Sequence, residues 1–297
     1  MNEPAAPAME TPVVFAQPAA SVTVKPIVRI RPPRKWEALD LSSLWRYRDL
    51  LLALAVRDIK LRYRQTVLGL LWVVLQPLLG AGIFAFVFGR VANLDTGGDS
   101  YVLFAYAGLL AWNFFNGVVP KASGSLVANA SLVSKVFFPR LLLPFSGVIS
   151  TLLDFGIAFA VGTILAVVSG ATPGFSLLLV PFWLLFLLLL GAGFGLLCAA
   201  LAVAYRDVIH VLPVGLQFLL YGSPVGYSIA VIPEGLPRLF YKLNPLAPLI
   251  EGVRVSFLGH GFIGLHSGIY ACVTATVIFV VGLIVFRRME RQFADVI

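Results

Sequence analysis

The chain has 297 residues, of which 59% are hydrophobic and only 12% are charged, and its formal net charge is +8. A typical soluble domain is about 25% charged, and a soluble fold of this length could not hide so much apolar surface from water. The composition excludes an ordinary cytosolic enzyme, a nucleic-acid-binding protein and a disordered scaffold, and it indicates an integral membrane protein.

The first 41 residues are predicted to form a disordered, proline-rich cytoplasmic tail. Prolines are frequent in this segment, and no apolar stretch has the length of a signal-peptide core. Residues 42–65 are predicted to form an amphipathic helix in the inner membrane interface, with basic residues around an apolar face. That face is predicted from residues at helical spacing: Leu51, Leu52, Ala55, Ile59 and Tyr63. The helix is either a plain membrane anchor or an entrance gate for an anionic lipid-linked substrate.

Residues 66–297 are predicted to form a membrane domain of six spans. Charged residues bound five uncharged runs of 25, 21, 51, 26 and 32 residues, and a spanning helix needs about 20 apolar residues. The 51-residue run is long enough for two spans, with a turn at residues 169–174. The predicted spans cover residues 66–89, 100–120, 144–168, 175–203, 208–232 and 266–286. The predicted fold class is therefore an all-α integral membrane protein.

The distribution of basic residues predicts the orientation in the membrane. Six spans place both termini on one side, and 18 of the 22 Lys and Arg residues fall on that side. The positive-inside rule makes that side cytoplasmic. We therefore expect a multi-pass membrane protein with both termini in the cytoplasm. Because the positive charge follows topology, no nucleic acid is expected as a partner.

Two segments between spans do not look like simple turns. Residues 121–143 include a stretch compatible with a short helix and fit either a docking site for a soluble partner or a solvated connector. Residues 222–260 hold five prolines, which break helices, yet they stay apolar. Short outer-side helices that line or close an exit are predicted there, with an amphipathic external loop as the alternative.

The polar and small residues inside the predicted spans can be interpreted in only a few ways. Asp154 is the only acid well inside a span; it is either the site of a transported proton or cation, or a hydrogen-bonding partner of a neighbouring helix. Gly191, Gly193 and Gly195 lie in mid-span without a preceding strand, so they indicate close helix packing rather than a nucleotide site.

Catalytic and cofactor motifs are missing from the sequence. There is no Gly-Lys-Ser or Gly-Lys-Thr of a P-loop and no Gly-x-Ser-x-Gly elbow. Cys198 and Cys272 lie in apolar runs, and the three histidines have no metal-ligand spacing. We expect no enzymatic activity, no cofactor and no metal site in this chain.

Aromatic residues cluster near the ends of several spans. An aromatic belt at the membrane interface is one interpretation, and a path on which sugar rings stack is the other. The candidate path residues are Phe84, Phe88, Trp112, Phe115, Tyr221 and Tyr227.

Four groups of residues carry a family resemblance. They are 57–64 (RDIKLRYR) with 67–72 and 76–78; 137–144 (FFPRLLLP); 205–207 (YRD); and 223–227 (SPVGY) with 243–246 and 251–254. Together they resemble ABC-2-type permeases, most closely the polysaccharide exporters of bacterial O-antigen, capsule and teichoic acid. The resemblance covers about residues 42–297.

The resemblance implies a half-transporter of the bacterial inner membrane that works as a homodimer with two copies of a separate P-loop ATPase subunit. ATP and magnesium would bind to that ATPase, and the substrate would be a polysaccharide on undecaprenyl diphosphate. The ATPase would dock on the cytoplasmic loops through Leu132, Lys135, Phe137, Phe138, Pro139, Arg140, Tyr205, Arg206 and Asp207. The diphosphate would meet cations at the entrance: Arg46, Arg48, Arg62 and Arg64. The aromatic path residues would stack on the sugars.

Two other functions stay open at this point. One is an ABC-2-type exporter of a drug or lipid without a long glycan. The other is a proton-coupled secondary transporter that uses Asp154.

Overall fold

A computed structural model describes residues 45–63, 71–94, 100–170, 174–261 and 263–290. The predicted tail, the entrance residue Arg64 and the start of the first predicted span lie outside the described residues. Over the residues that it does describe, the structure is helical and contains no strand. The predicted all-α fold class is confirmed for this part of the chain.

Long apolar helices alternate with short connecting ones. The first half of the chain contains α1 (Arg48–Tyr63), α2 (Leu71–Phe84, continued by a π-helical stretch over Ala85–Val91), α3 (Tyr101–Ala128), α4 (Ala130–Lys135) and α5 (Leu142–Val168). The second half contains a 3-10 turn (Phe175–Leu179), α6 (Val180–Ala204), α7 (Asp207–Tyr221), a second 3-10 turn (Ile229–Val231), α8 (Leu236–Leu243), α9 (Leu246–Leu258) and α10 (Leu265–Met289).

Five helical segments among the described residues are long and apolar enough to cross a membrane. They are Leu71–Val91, Tyr101–Ala128, Leu142–Val168, Phe175–Ala204 and Leu265–Met289. Each overlaps one predicted span. Within the predicted span over residues 208–232, α7 ends at Tyr221 after 15 residues, so this segment is not one unbroken helix. Gly222 and Pro224 follow at once and stop the helix.

The predicted loop over residues 121–143 is also shorter than expected. α3 continues through Pro120 and Lys121 to Ala128, since Ala122 and Leu126 on its last turns are buried in the bundle. The connector between α3 and α5 therefore begins at Asn129. Lys121, which the sequence pattern placed in a cytoplasmic loop, belongs to a spanning helix.

α3 is the central helix of the bundle. It packs against α5, α6, α2, α7 and α9. Every residue from Leu103 to Leu110 is buried. Its large apolar side chains and alanines leave no polar face there, as expected for a helix surrounded by other helices. The other spans lie around it and expose their outer faces.

Close packing of helices at glycine confirms the interpretation of the mid-span Gly motif. A Cβ on Gly193 of α6 would lie 2.5 Å from the Cα of Phe279 on α10, and a Cβ on Gly195 would lie 2.6 Å from that of Ala122 on α3. A side chain on Gly282 would overlap with the backbone carbonyl of Gly193. The backbones of α6 and α10 therefore meet directly, as small residues permit in membranes.

α1 lies within the helix predicted over residues 42–65 and packs against α5. Its buried side chains are Leu54 and Ala55. Leu52 of the predicted apolar face is 53% exposed. The side of α1 that contacts α3 and α5 also carries polar side chains, so this contact face is mixed rather than purely apolar.

Candidate functional site

A charged network around Asp154 joins α1 to α3 and α5. Asp154 accepts a hydrogen bond from the hydroxyl of Tyr63, with 2.6 Å between the oxygens, and its other oxygen pairs with the guanidinium of Arg62. The ammonium of Lys121 on α3 lies 3.4 Å from the same carboxylate. Burial and the hydrogen bond to Asp154 raise the pKa of Tyr63 to about 12, so its hydroxyl remains a donor at neutral pH.

Lys121 completes its hydrogen bonding on α5. Its Nζ donates to Ser150 Oγ at 2.8 Å and to Thr151 Oγ1 at 3.0 Å. A lysine inside a spanning helix is costly unless it is paired and hydrogen-bonded, and here all its partners come from α5. The structure thus agrees with one of the two interpretations of Asp154, that of a hydrogen-bonding partner of neighbouring helices.

A second set of polar contacts lies one to two turns nearer the start of α1. Arg57 Nη2 donates to the side-chain oxygen of Asn129, which follows α3, and to Asp58, both at 2.8 Å. Asp58 also accepts a hydrogen bond from Ser146 on α5, at 3.3 Å. Both sets of contacts tie α1 to the same pair of helices.

Two cavities lie along this network and share Arg62 and Lys121 in their walls. The smaller, about 190 Å³, is also lined by Asp154 and by the amides of Gln76, Asn113 and Asn116. The larger, about 550 Å³, is lined by Arg57, Asp58 and the ends of α3 and α5. The described walls together carry three cations and two carboxylates, so they have an excess of positive charge.

The predicted entrance residues are not gathered in one place. Arg62 is part of the network, whereas Arg46 and Arg48 are exposed at the other end of α1. Arg48 lies over the ring of Trp45, 5.2 Å from its centroid. Arg62 lies fourteen positions after Arg48 in the chain, about 21 Å along the helix axis. The cations that face the cavities with Arg62 are Arg57 and Lys121, which the entrance prediction did not include.

The predicted docking residues divide into an exposed and a buried group. The exposed residues are Lys135, Phe137, Tyr205, Arg206 and Asp207, with 81% of Phe137 accessible. Phe138, by contrast, is buried in a cluster with Leu141 and Phe286, while Leu132 packs against that cluster and Pro139 and Arg140 are half-buried. Exposed and buried side chains alternate because the connector crosses the ends of the helices, so neighbouring side chains point to opposite sides.

The aromatic path residues also divide into two groups. The rings of Phe84 and Phe88 lie 5.5 Å apart, Phe88 lies 6.0 Å from Tyr227, and the Tyr227 hydroxyl donates to the carbonyl of Tyr221 at 2.8 Å. Tyr241, which the prediction missed, joins them through a 2.7 Å contact between its hydroxyl and that of Tyr227. Trp112 and Phe115 pair with each other inside the core, where they are 4% and 3% exposed.

Arg254 of α9 fixes the segment that follows α7. Its side chain is 1% exposed and donates to the carbonyls of Pro224 and Val225, at 2.7 and 2.6 Å. It also pairs with Glu251 and lies over the ring of Phe104, 4.1 Å from the centroid. A Cβ on Gly108 would lie 2.6 Å from the guanidinium, so glycine makes room for this approach.

Comparison with known proteins identifies the family. Residues 49–258 match the ABC-2 type transporter family. The chain belongs to this family. It is 30% identical over 254 residues to the O-antigen export system permease protein RfbA of Klebsiella pneumoniae, a match that covers 84% of this chain and 95% of that protein.

Two further relatives of this ABC-2 type transporter also match over most of their length. The RfbA protein of Myxococcus xanthus is 27% identical over 256 residues, 86% of this chain and 98% of that one. The polysialic acid transport protein KpsM of Escherichia coli is 27% identical over 245 residues, 80% and 92% of the two chains. The predicted resemblance to ABC-2-type permeases is thus confirmed.

The end of α10 in this ABC-2 type transporter holds the connector in place. The carboxylate of Glu290 accepts a hydrogen bond from the backbone N–H of Arg140 at 3.1 Å and one from Arg287 at 3.2 Å. The guanidinium of Arg140 donates to the carbonyl of Glu290. Sequence reasoning missed Glu290, because nothing in the pattern links two positions 150 residues apart.

Replacing Glu290 by alanine is expected to loosen this connector. Losing hydrogen bonds to charged partners costs about 1.5–3 kcal/mol, so amide exchange in residues 136–141 should become roughly 10–150 times faster. Hydrogen exchange with mass spectrometry measures this. Glu234→Ala, which removes an exposed partner of Arg238, should leave the segment unchanged. Equal exchange in wild type and Glu290→Ala would contradict the anchoring role.

Proposed function

We propose that the chain is the transmembrane subunit of an ATP-driven exporter that moves a polysaccharide on undecaprenyl diphosphate from the cytoplasm across the inner membrane. The chain itself carries out no catalysis. It works as a homodimer with two copies of a separate P-loop ATPase, which binds ATP and magnesium. The observation that carries this proposal is the near full-length match to proteins named for O-antigen export.

The excess of cations beside α1 agrees with such a substrate. A diphosphate is attracted by arginine and lysine at the surface of the inner leaflet. The cavities lined by Arg57, Arg62 and Lys121 would meet it where the carrier lipid lies beside the bundle. Arg46, Arg48 and Arg64 would attract the headgroup before it reaches them.

In this proposal the membrane domain has six spans, with α7 as the fifth. At 1.5 Å per residue, its 15 residues reach about 22 Å, less than the roughly 30 Å hydrocarbon core. The apolar residues 222–232 complete the crossing. α8 and α9 then form the outer-side gate, and the aromatic cluster of Phe84, Phe88 and Tyr227 lies beside it. Both termini are cytoplasmic, as the distribution of basic residues predicts.

Docking of the ATPase is assigned to the end of the bundle that holds α4. The connector after α3 and the turn after α6 both lie at that end, since the spans run alternately. Each presents exposed residues: Lys135 and Phe137 on the first, and Tyr205, Arg206 and Asp207 on the second. An exposed aromatic residue rimmed by charges is typical of an energetic centre in a protein interface.

Phe137→Ala is expected to weaken binding of the ATPase. Truncating a central aromatic residue typically costs about 2 kcal/mol or more, so recovery of the ATPase with the tagged chain should fall by roughly tenfold or more. Phe175→Ala is the matched control, because Phe175 is 93% exposed at the opposite end of the bundle. Equal recovery with both variants would contradict the docking assignment.

Affinity purification of the tagged chain from its native membrane, followed by mass spectrometry, tests the assembly. The proposal predicts a P-loop ATPase in equal amount, with glycosyltransferases as weaker companions. A homo-oligomer without any ATPase, in a detergent that preserves such complexes, would contradict it and favour a secondary transporter centred on Asp154.

A further inference from the structure

The two cavities beside α1 hold more cationic donors than their own carboxylates use. Resting on the proposed function, we propose that Asp154 is an internal substitute for a phosphate group. In the resting chain it occupies Arg62 and Lys121. The diphosphate of the lipid-linked substrate binds in the larger cavity among Arg57, Arg62 and Lys121, and it displaces Asp154 from these cations.

The charge count supports an anionic ligand. Three cations and two carboxylates line the described walls. These side chains are only partly removed from water, and their excess positive charge attracts an additional anion. The remaining polar lining of the smaller cavity is neutral amide and hydroxyl, from Gln76, Asn113, Asn116 and Thr151. These amide and hydroxyl groups can both donate and accept hydrogen bonds, so the excess cation, rather than the neutral lining, favours an anionic ligand.

The geometry of Lys121 shows which bond a ligand would replace. An ammonium has three N–H donors, and those of Lys121 point to Ser150 at 2.8 Å, Thr151 at 3.0 Å and Asp154 at 3.4 Å. The bond to the carboxylate is the longest of the three. Ser150 and Thr151 therefore hold the ammonium in position, and the third donor can pass from Asp154 to a phosphate oxygen.

Arg62 supplies the second transferable bond. It lies on the last turn of α1, its side chain is 45% exposed, and it reaches across to Asp154 on α5. A guanidinium binds phosphate through two parallel N–H groups, a geometry that suits phosphate as well as carboxylate. Arg57, 41% exposed on the same side of the larger cavity, is placed to bind the second phosphate.

A direct binding measurement tests the proposal, because two substitutions should change the affinity for the substrate in opposite directions. The full chain, purified with its native partners in lipid nanodiscs, is titrated with undecaprenyl diphosphate. Lys121→Gln should weaken binding about tenfold or more, because it removes a ligand to the phosphate. Asp154→Asn should strengthen binding several-fold, because it removes the competing carboxylate. Lys60→Gln is the matched control: it removes one exposed cation from α1, outside the residues that line the cavities, and should change nothing.

A measurement on the wild-type chain covers the case in which a variant fails to fold. Amine acetylation followed by mass spectrometry reports how accessible Lys121 and Lys60 are. Undecaprenyl diphosphate should protect Lys121 but not Lys60. The same dose of phosphatidylglycerol, which offers a single phosphate on a membrane lipid, should protect neither.

Three results would overturn the proposal. These are weaker or unchanged binding to folded Asp154→Asn, no protection of Lys121, and equal protection by phosphatidylglycerol, which would assign the cavity to ordinary lipid headgroups. Failure of the proposed function is seen separately, as unchanged surface polysaccharide when the gene is deleted. If deletion abolishes export while the binding tests fail, the proposed diphosphate site beside α1 is wrong and the proposed function stands.

Discussion

Replacing Arg254 by alanine is expected to lower the free energy of unfolding by about 3–5 kcal/mol, the range for breaking a buried ion pair. The substitution leaves Glu251 without its cation and the carbonyls of Pro224 and Val225 without their donor. It also removes the cation that lies over Phe104. Thermal unfolding of the purified protein in detergent measures the loss, and export should fail with it because residues 222–226 lose their attachment to α9.

Arg238→Ala is the matched control for Arg254. It also removes an arginine from an ion pair, but its partner Glu234 is 89% exposed. Such a pair is worth about 1 kcal/mol or less. If Arg254→Ala were no more destabilising than Arg238→Ala, the buried guanidinium would not hold the segment after α7.

Replacing Gly193 by leucine is expected to separate α6 from α10 and to cost about 3 kcal/mol, the upper end of the usual range for overpacking. The first carbon of any side chain there would lie 2.5 Å from the Cα of Phe279, which is backbone and cannot rotate away. The melting temperature and the yield of folded protein in the membrane should both fall.

The same substitution at Gly156 separates this effect from the change in hydrophobicity. Gly156 lies on an exposed surface of α5, and a Cβ placed on it would meet no atom within 4 Å. Gly156→Leu should therefore leave the melting temperature nearly unchanged. Equal losses for the two leucine variants would contradict direct backbone packing at Gly193.

The described structure connects the proposed docking end to the bundle through one apolar cluster. Phe138 of the connector belongs to this cluster together with Leu54 of α1, Ala200 of α6 and Phe286 of α10. Glu290 adds hydrogen bonds to Arg140 at the edge of this cluster. A displacement of the connector by a docked ATPase would reach α1, α6 and α10 together, because a packed core moves as a unit.

The sequence predicted the spans well where hydrophobicity alone decides them. Five predicted spans coincide with helices that are long and apolar enough to cross a membrane, because a long apolar run favours such a helix. The ends of α7 and α3 were predicted wrongly, because charged residues were used as the boundaries of the spans. Pro224 and Gly222 end α7 inside an uncharged run, and Lys121 continues α3 because Asp154, Ser150 and Thr151 satisfy its charge.

The side-chain partners in the site could not be predicted from the sequence, for a different reason. The pairing of Arg62 with Asp154 joins residues 92 positions apart, and no local pattern specifies it. The aromatic prediction had the same limit, because residue type cannot separate an exposed ring such as Tyr221 from a core ring such as Trp112. The prediction of Asp154 as a special residue succeeded because a lone acid in a span requires partners.

The export function is tested most directly by deleting the gene in its own organism and measuring polysaccharide on both sides of the inner membrane. We expect that surface polysaccharide disappears, that the glycan accumulates on undecaprenyl diphosphate in the cytoplasmic leaflet, and that the wild-type gene restores export. Unchanged surface polysaccharide, with no glycan retained inside, would contradict the proposed function.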